Sequence, residues 1–208
     1  MTGAIGGVIL AGGLSSRMGG GDKSLLDLDG RPILAHVIAR LSPQVDRLAL
    51  NANGDPDRFV GFGLPTIPDG IEGHAGPLAG VLAGMDWAAG QGIDVIVTAA
   101  ADTPFFPEDL VTTLRCAARD GDTPLAMAVT LRENDAGFDR HPTFGLWDVA
   151  LREDLRRALR DGLRKVVAWT EPHGCARVVF AADGADPFFN VNTPQDLEAA
   201  RARGLALG

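Results

Sequence analysis

The sequence predicts an α/β protein in three layers: a mostly parallel sheet with helices on both faces, with residues 1–208 forming one domain. Three observations predict it. Strand-like and helix-like segments alternate along the chain. The strand-like segments Ile5–Leu10 and Asp94–Ala100 are almost unbroken apolar runs, as expected where a strand is buried on both faces. Polar residues collect where these runs end, at Gly12–Lys23, Asn51, Asp69 and Asp102. In open sheets of this kind ligands bind beyond the carboxyl ends of the strands, so those ends are the candidate site.

The elements follow in order. Ile5–Leu10 reads as the first strand. Pro32 opens a helix whose Ile33, Leu34, Val37, Ile38 and Leu41 share one face. Leu48–Leu50 is a second strand, ending at Asn51-Ala52-Asn53-Gly54, and Leu64–Ile67 a third, running into Pro68-Asp69-Gly70. Pro77 begins a helix that continues through Trp87. The run Asp94–Ala100 closes at Asp102-Thr103-Pro104, and Pro107 starts a helix with Leu110, Val111, Leu114 and Ala118 inward. Ala126–Leu131 and Thr143–Trp147 read as strands flanking a loop, Arg132–His141. Helices at Val149–Arg160 and around Lys165–Trp169 precede a late strand, Val178–Phe180. Thr193 is the expected N-cap of the last helix, with Pro194 in its first turn.

Composition narrows the function. Apolar residues make up 46% of the chain, ample for a core, and the formal net charge is −8. That charge disfavours a general nucleic-acid binder, which needs a basic face, but not a protein that holds a phosphate-bearing small molecule in one basic cleft. Of 19 basic residues only Lys23 and Lys165 are lysines, so a lysine in the glycine-rich segment stands out. Cys116 and Cys175 give neither a disulfide framework nor a zinc spacing, and the 4 histidines are scattered. Cys116, on a helix, is expected to pack rather than react. No basic stretch precedes the first apolar run and no run reaches membrane-spanning length, so the expectation is a cytoplasmic protein with no membrane partner.

The segment Gly12-Gly13-Leu14-Ser15-Ser16-Arg17-Met18-Gly19-Gly20-Gly21-Asp22-Lys23 follows the first strand directly. Glycines let backbone N–H groups approach phosphate oxygens, and Arg17 and Lys23 offset their charge. It is not a Walker A loop, since Asp22 precedes the lysine, and it lacks G-x-G-x-x-G. Asp102, at the tip of a buried strand, reads by itself as a turn or cap before a helix; with the glycine-rich segment in the same chain it suits Mg²⁺ through one oxygen. Gly76-Pro77 starts a helix whose amino end can meet a phosphate or a base edge, or is an ordinary helix start. Asn190-Val191-Asn192 offers amide oxygens as well as a cap. Arg152, Arg156, Arg157 and Arg160 form a basic helix stretch, either a solvated face or a surface for an anionic partner. The Asp-x-Asp pairs Asp27-Leu28-Asp29 and Asp55-Pro56-Asp57, which a glycosyltransferase would use for metal, do not close a strong strand.

Together, Leu10-Ala11-Gly12-Gly13, Arg17-Met18-Gly19, Asp22-Lys23, Asp102-Thr103-Pro104 and Gly76-Pro77-Leu78-Ala79-Gly80 resemble the nucleotidyltransferase superfamily that activates sugars, polyols and pterins. The nearest resemblance is to the molybdenum cofactor guanylyltransferase family, and it runs from Ile5 to about Leu197. It implies a Rossmann-like nucleotidyltransferase fold and the transfer of GMP from GTP to molybdenum-molybdopterin, releasing pyrophosphate, with Mg²⁺ as cofactor. It implies nucleotide binding at Leu10, Ala11, Gly12, Gly13, Lys23, Asn51, Asp69, Gly76, Pro77 and Asp102, and catalysis by Arg17, Lys23 and Asp102. Metal falls to Asp102 and Asn192, and acceptor binding to His141, Asn190 and Asn192. Other molybdenum cofactor assembly proteins are implied as partners. The alternative is a related nucleotidyltransferase using CTP or a sugar or polyol phosphate acceptor, because no residue visibly reads guanine. Two departures stand out. Gly20 and Gly21 both intervene where the common pattern has one residue, and Ala99-Ala100-Ala101 replaces the usual residues before the aspartate.

Overall fold

The computed structural model describes residues 3–12, 22–71, 76–132, 137–182 and 186–207. In chain order the elements are β1 (Ile5–Leu10), the short hairpin β2 (Asp27–Leu28) and β3 (Arg31–Pro32), α1 (Ile33–Leu41), β4 (Arg47–Asn51), β5 (Thr66–Ile67), α2 (Pro77–Gly90) and β6 (Val95–Ala100). They continue with α3 (Leu110–Asp120), β7 (Leu125–Leu131), β8 (Phe138–Asp148), α4 (Arg152–Arg160), α5 (Val166–His173), β9 (Cys175–Val179) and α6 (Pro194–Leu207). Seven strands form one sheet in the order β5-β4-β1-β6-β8-β7-β9. β1 pairs in parallel with β4 and β6, β4 with β5, and β7 with β9, while β8 is antiparallel to both of its neighbours.

The pleat of the sheet sorts its side chains into two cores. Ile9, Val97 and Ala99 pack with Leu34, Val37 and Leu41 of α1 and Leu110 and Leu114 of α3 on one face. The adjacent residues Val8 and Ile96 pack with Leu78, Leu82 and Met85 of α2, Leu155 and Leu159 of α4, and Trp169 of α5 on the other. Each such leucine or isoleucine, fully removed from water, contributes about 1.5–3 kcal/mol. A third, small cluster joins Leu28 and Ile33 to Val191 and Ala200, and so folds the C-terminal segment back beside the start of α1. Trp147 brings one polar atom into the core, and its Nε1 donates to Thr98 Oγ1 at 2.9 Å.

Several elements differ from the sequence-based expectation. The hairpin β2–β3 was not anticipated. Its turn residues Asp29 and Gly30 both have positive φ, 53° and 80°, the Asp-Gly signature of a two-residue hairpin. β8 begins at Phe138 rather than Thr143, so His141 lies in a strand and not in a loop; a register shift between Met127 and Ala128 lets the pairing continue. β5 keeps only Thr66 and Ile67, because the preceding Pro65 has no N–H to donate. α3 starts at Leu110, three residues after Pro107, and β9 starts at Cys175, ahead of Val178. The segment Val149–Leu151 is a 3-10 turn capped by Asp148, with α4 beginning only at Arg152. Among the described residues no helix is long and apolar enough to cross a membrane.

α2 approaches the sheet closely enough that glycine is required in its contact face. A Cβ built on Gly84 would meet Val8 Cγ2 at 2.8 Å and Ile96 Cδ1 at 3.1 Å. Gly84→Val is therefore expected to lower the stability of the fold by about 1–3 kcal/mol through overpacking, measured by urea denaturation.

Candidate active site

The site begins where β1, β4 and β6 end side by side. Ala11 N donates to Asn51 O at 2.8 Å and Ala101 N donates to Leu10 O at 3.0 Å, which carries the ladder one residue beyond the strands. A cleft opens there, lined by Leu10, Ala11, Gly12, Asp22, Lys23, Ser24, Ala101 and Asp102. Lys23 starts a short 3-10 turn, Lys23–Leu25, and its Nζ donates to Asn192 Oδ1 at 2.9 Å. Gly13 and Arg17 lie outside the described residues.

Asp102 is partly buried, and that burial raises its carboxyl pKa above the usual carboxylate range; the nearby Lys23 charge and the Thr103 hydroxyl pull the other way. The result is a carboxylate only partly compensated by its surroundings. The segment after β9 straps it in place. Val191 N donates to Asp102 O at 2.9 Å. The Thr103 hydroxyl donates to Asn190 Oδ1, and its Oγ1 lies 3.3 Å from Asp102 Oδ1. The strap is anchored at the start of α6, where Asp196 Oδ2 accepts from the amides of Asn192 and Thr193 at 2.9 and 2.8 Å and Asp196 N donates back to Thr193 Oγ1 at 3.1 Å. Thr193 thus caps α6 as its sequence implies.

A second polar group sits at the ends of β4 and β5. Asn51, buried, donates from Nδ2 to Ile67 O at 3.1 Å and to Asp69 Oδ1 at 2.9 Å. Asn53 donates to Asp69 Oδ2 at 2.7 Å and accepts from Asp69 N at 2.9 Å. Asp69 is thereby held on both carboxylate oxygens. The first turn of α2 closes over this group, and a Cβ on Gly80 would overlap Asn51 Oδ1. Gly76, with φ 68° and ψ −164°, takes a backbone conformation open to glycine, and Pro77 follows it as the first helical residue.

The predicted residues therefore separate into groups. Leu10, Ala11, Gly12, Lys23 and Asp102 share the cleft, with Asn190 and Asn192 bonded to its edge. Asn51 and Asp69 form the second group, beside the start of α2 at Gly76 and Pro77. His141 is outside both. Its Nε2 lies 2.9 Å from Thr130 Oγ1, and its ring stacks on Phe188 at 4.3 Å, behind the strap. Burial lowers its pKa against the pull of Asp186 and Asp139, which favours the neutral imidazole. The sequence reading passed over Thr103, Asn53 and Arg58. Asn53 was detectable as a second amide two residues past Asn51. Arg58, far along the chain from Asp22 with which it pairs, left no signal. The basic stretch of α4 is largely paired within the fold: Arg156 with Asp86 and Glu153, Arg157 with Asp154. The Cys175 thiol is pushed up to about 11 by burial, which disfavours the thiolate. A hollow of about 370 Å³ lies at the opposite, amino ends of β1 and β6 and holds none of these residues.

A cation and a partly buried carboxylate share one cleft at the carboxyl edge of the parallel strands, beside a glycine-bearing strand end, an arrangement that suits a phosphate-bearing ligand. The chain belongs to the MobA-like NTP transferase family, whose domain description matches residues 7–177. It is 50% identical over 202 residues, 96% of this chain and 92% of the relative, to a molybdenum cofactor guanylyltransferase of Bradyrhizobium sp. (strain ORS 278). It is 51% identical over 203 residues, 95% of each chain, to a molybdenum cofactor guanylyltransferase of Mesorhizobium japonicum. Its fold matches the crystal structure of molybdopterin-guanine dinucleotide biosynthesis protein A from Archaeoglobus fulgidus with a TM-score of 0.71 at 21% identity, covering 97% of this chain and 99% of that one.

The raised pKa of Asp102 sets a sign for stability. A carboxyl whose pKa is higher folded than unfolded disfavours folding once ionised. That penalty is absent below the unfolded pKa, grows as the pH climbs through the folded value, and is complete above it. Asp102→Asn is expected to melt like wild type near about pH 3 and at a higher temperature than wild type by about pH 8, checked by thermal denaturation of both proteins across that range.

Proposed function

We propose that the protein transfers GMP from GTP to the terminal phosphate of molybdenum-molybdopterin and releases pyrophosphate. The observation that carries this reading is the convergence of Lys23 and Asp102 in one cleft, with Asn192 bonded to Lys23. The choice of GTP and of the pterin acceptor is supported by the relatives of about half identity, named for that activity.

The chemistry asks little of a general base. A phosphomonoester with a second pKa of about 6 is already mostly ionised at neutral pH, and no group in the cleft needs to take its proton. The obstacle is repulsion between an anionic nucleophile and an anionic triphosphate. Lys23, the backbone N–H of Gly12 and Arg17 are assigned to offset that charge. Asp69 and Asn51 are assigned to the nucleoside end, with the first turn of α2 at Gly76 and Pro77 beside them. The strap residues Asn190 and Asn192 are assigned to the acceptor, with His141 supporting them through Phe188.

The residues present fit Mg²⁺. Asp102 is a carboxylate short of compensating charge, and among the described residues no group of three His, Cys, Asp or Glu side chains converges to hold a metal alone. That donor set suits an ion that keeps waters and takes most of its remaining oxygens from phosphates. Asn192 Oδ1, now the acceptor for Lys23, is the second candidate oxygen. Mg²⁺ bound at Asp102 would supply charge neutralisation at the reacting phosphates.

Incubation with GTP, Mg²⁺ and the molybdenum-loaded pterin is expected to release pyrophosphate, and CTP in its place is expected to release little. Equal turnover with CTP would overturn the nucleotide assignment. One opposite charge at 4 Å is worth roughly 4 kcal/mol at an effective dielectric of 20, so Lys23→Ala is expected to slow turnover about a thousandfold with an unchanged melting temperature. Asp102→Ala is expected to abolish the Mg²⁺-dependent rate; a Mg²⁺ titration curve identical to wild type would remove Asp102 from the metal.

A further inference from the structure

We infer that Arg58 is a positioning residue that ties the Lys23 turn to the Asp69 group and neutralises a carboxylate that would otherwise oppose the nucleotide's phosphates. This rests on the reading that a nucleoside triphosphate occupies the cleft. Arg58 lies in the 3-10 segment Pro56–Phe62, on no strand end and in no motif. Its guanidinium sits over the ring of Phe59, 5.0 Å from the centroid, and Phe59 is itself buried in the core. All three nitrogens are engaged. Nε donates to Asp55 O at 2.8 Å, Nη2 donates to Asn53 O at 2.6 Å, and Nη1 forms an ion pair with Asp22 Oδ2.

Those partners belong to the two groups of the site. Asp22 immediately precedes Lys23, lines the same cleft, and its carbonyl accepts from Leu25 N at 3.0 Å in the turn that presents the lysine. Asn53 makes two hydrogen bonds to Asp69. One guanidinium therefore fixes the cation at the phosphate end relative to the carboxylate at the nucleoside end, across segments that share no other bond of this kind among the described residues. The spacing between these ends must match a nucleotide's length.

The electrostatics point the same way. Asp22 is an anion in a cleft meant for anions, with its side chain only 17% exposed. Left unpaired, it would repel phosphate and compete for Lys23. Paired with Arg58 it is neutralised and held aside. A planar fork holds a carboxylate and a carbonyl on different segments in fixed directions; the compact ammonium of lysine has no such fork.

The test measures GTP affinity, by titration of a fluorescent GTP analogue with Mg²⁺, and melting temperature together. Arg58→Ala and Arg58→Lys are both expected to weaken binding about tenfold or more. Two further results are expected that a merely structural role would not produce. Methylguanidinium, at concentrations that leave melting temperatures unchanged, restores affinity to Arg58→Ala and leaves wild type unaffected. Asp22→Asn, placed in the Arg58→Ala or Arg58→Lys background, recovers part of the lost affinity because the uncompensated charge is gone. Should Arg58→Ala fail to fold, the Arg58→Lys pair carries the test. Wild-type affinity in Arg58→Lys, or no recovery by either route, overturns the inference while leaving the nucleotide reading intact. No GTP binding by wild type overturns both, and so separates the two failures.

Discussion

A carboxylate partly withdrawn from water at a strand tip is the constraint on which the site depends. The backbone that carries Asp102 is fixed, because its carbonyl accepts from Val191 N and the hydroxyl of its neighbour Thr103 donates to Asn190. The same strap holds Lys23 through Asn192, so cation and carboxylate are placed by one short segment far along the chain. That segment is itself held by the Thr193–Asp196 capping box and by Val191 packing against Leu28 and Ile33. The hairpin β2–β3, which otherwise looks incidental, thus forms part of the support for the reacting end of the cleft.

The other end relies on close packing rather than charge. α2 lies against β1 and β4 through glycines at Gly80 and Gly84, which let a buried amide, Asn51, reach under the helix and fix Asp69. The Asn51 and Asn53 amides together hold both carboxylate oxygens of Asp69. A preorganised polar group of this sort resists rearrangement when a ligand arrives, at the expense of a helix start that tolerates no larger side chain. Arg58 connects this end to the Lys23 turn, so two rigid groups are referenced to each other rather than floating on separate loops.

Much of this was legible in the sequence. The buried strands announced themselves by unbroken apolar runs, and the polar residues at their ends, Gly12, Asn51, Asp69 and Asp102, were legible because a parallel sheet gathers those ends on one edge. The Lys23–Asn192 and Thr103–Asn190 bonds were not, since nothing local in either segment specifies its distant partner. The start of β8 was misread for a related reason: Phe138–His141 is polar and contains no apolar alternation, and it becomes a strand only because β7 offers it a partner. His141 went from a loop residue to a strand residue stacked on Phe188 with that change.

Local chemistry, by itself, determined which segments could be strands and helices, where the glycine turns fall, and which side chains carry charge or metal-binding oxygens. Those choices follow from short-range sterics and from the periodicity of burial, and a chain carries both in plain view. Tertiary structure decided what each polar group faces: that Asp102 is partly withdrawn from water, that Asp22 is answered by Arg58, and that Arg156 of α4 reaches across to Asp86. Desolvation and Coulomb attraction depend on distance in space, and distance in space is set only when the whole core has packed.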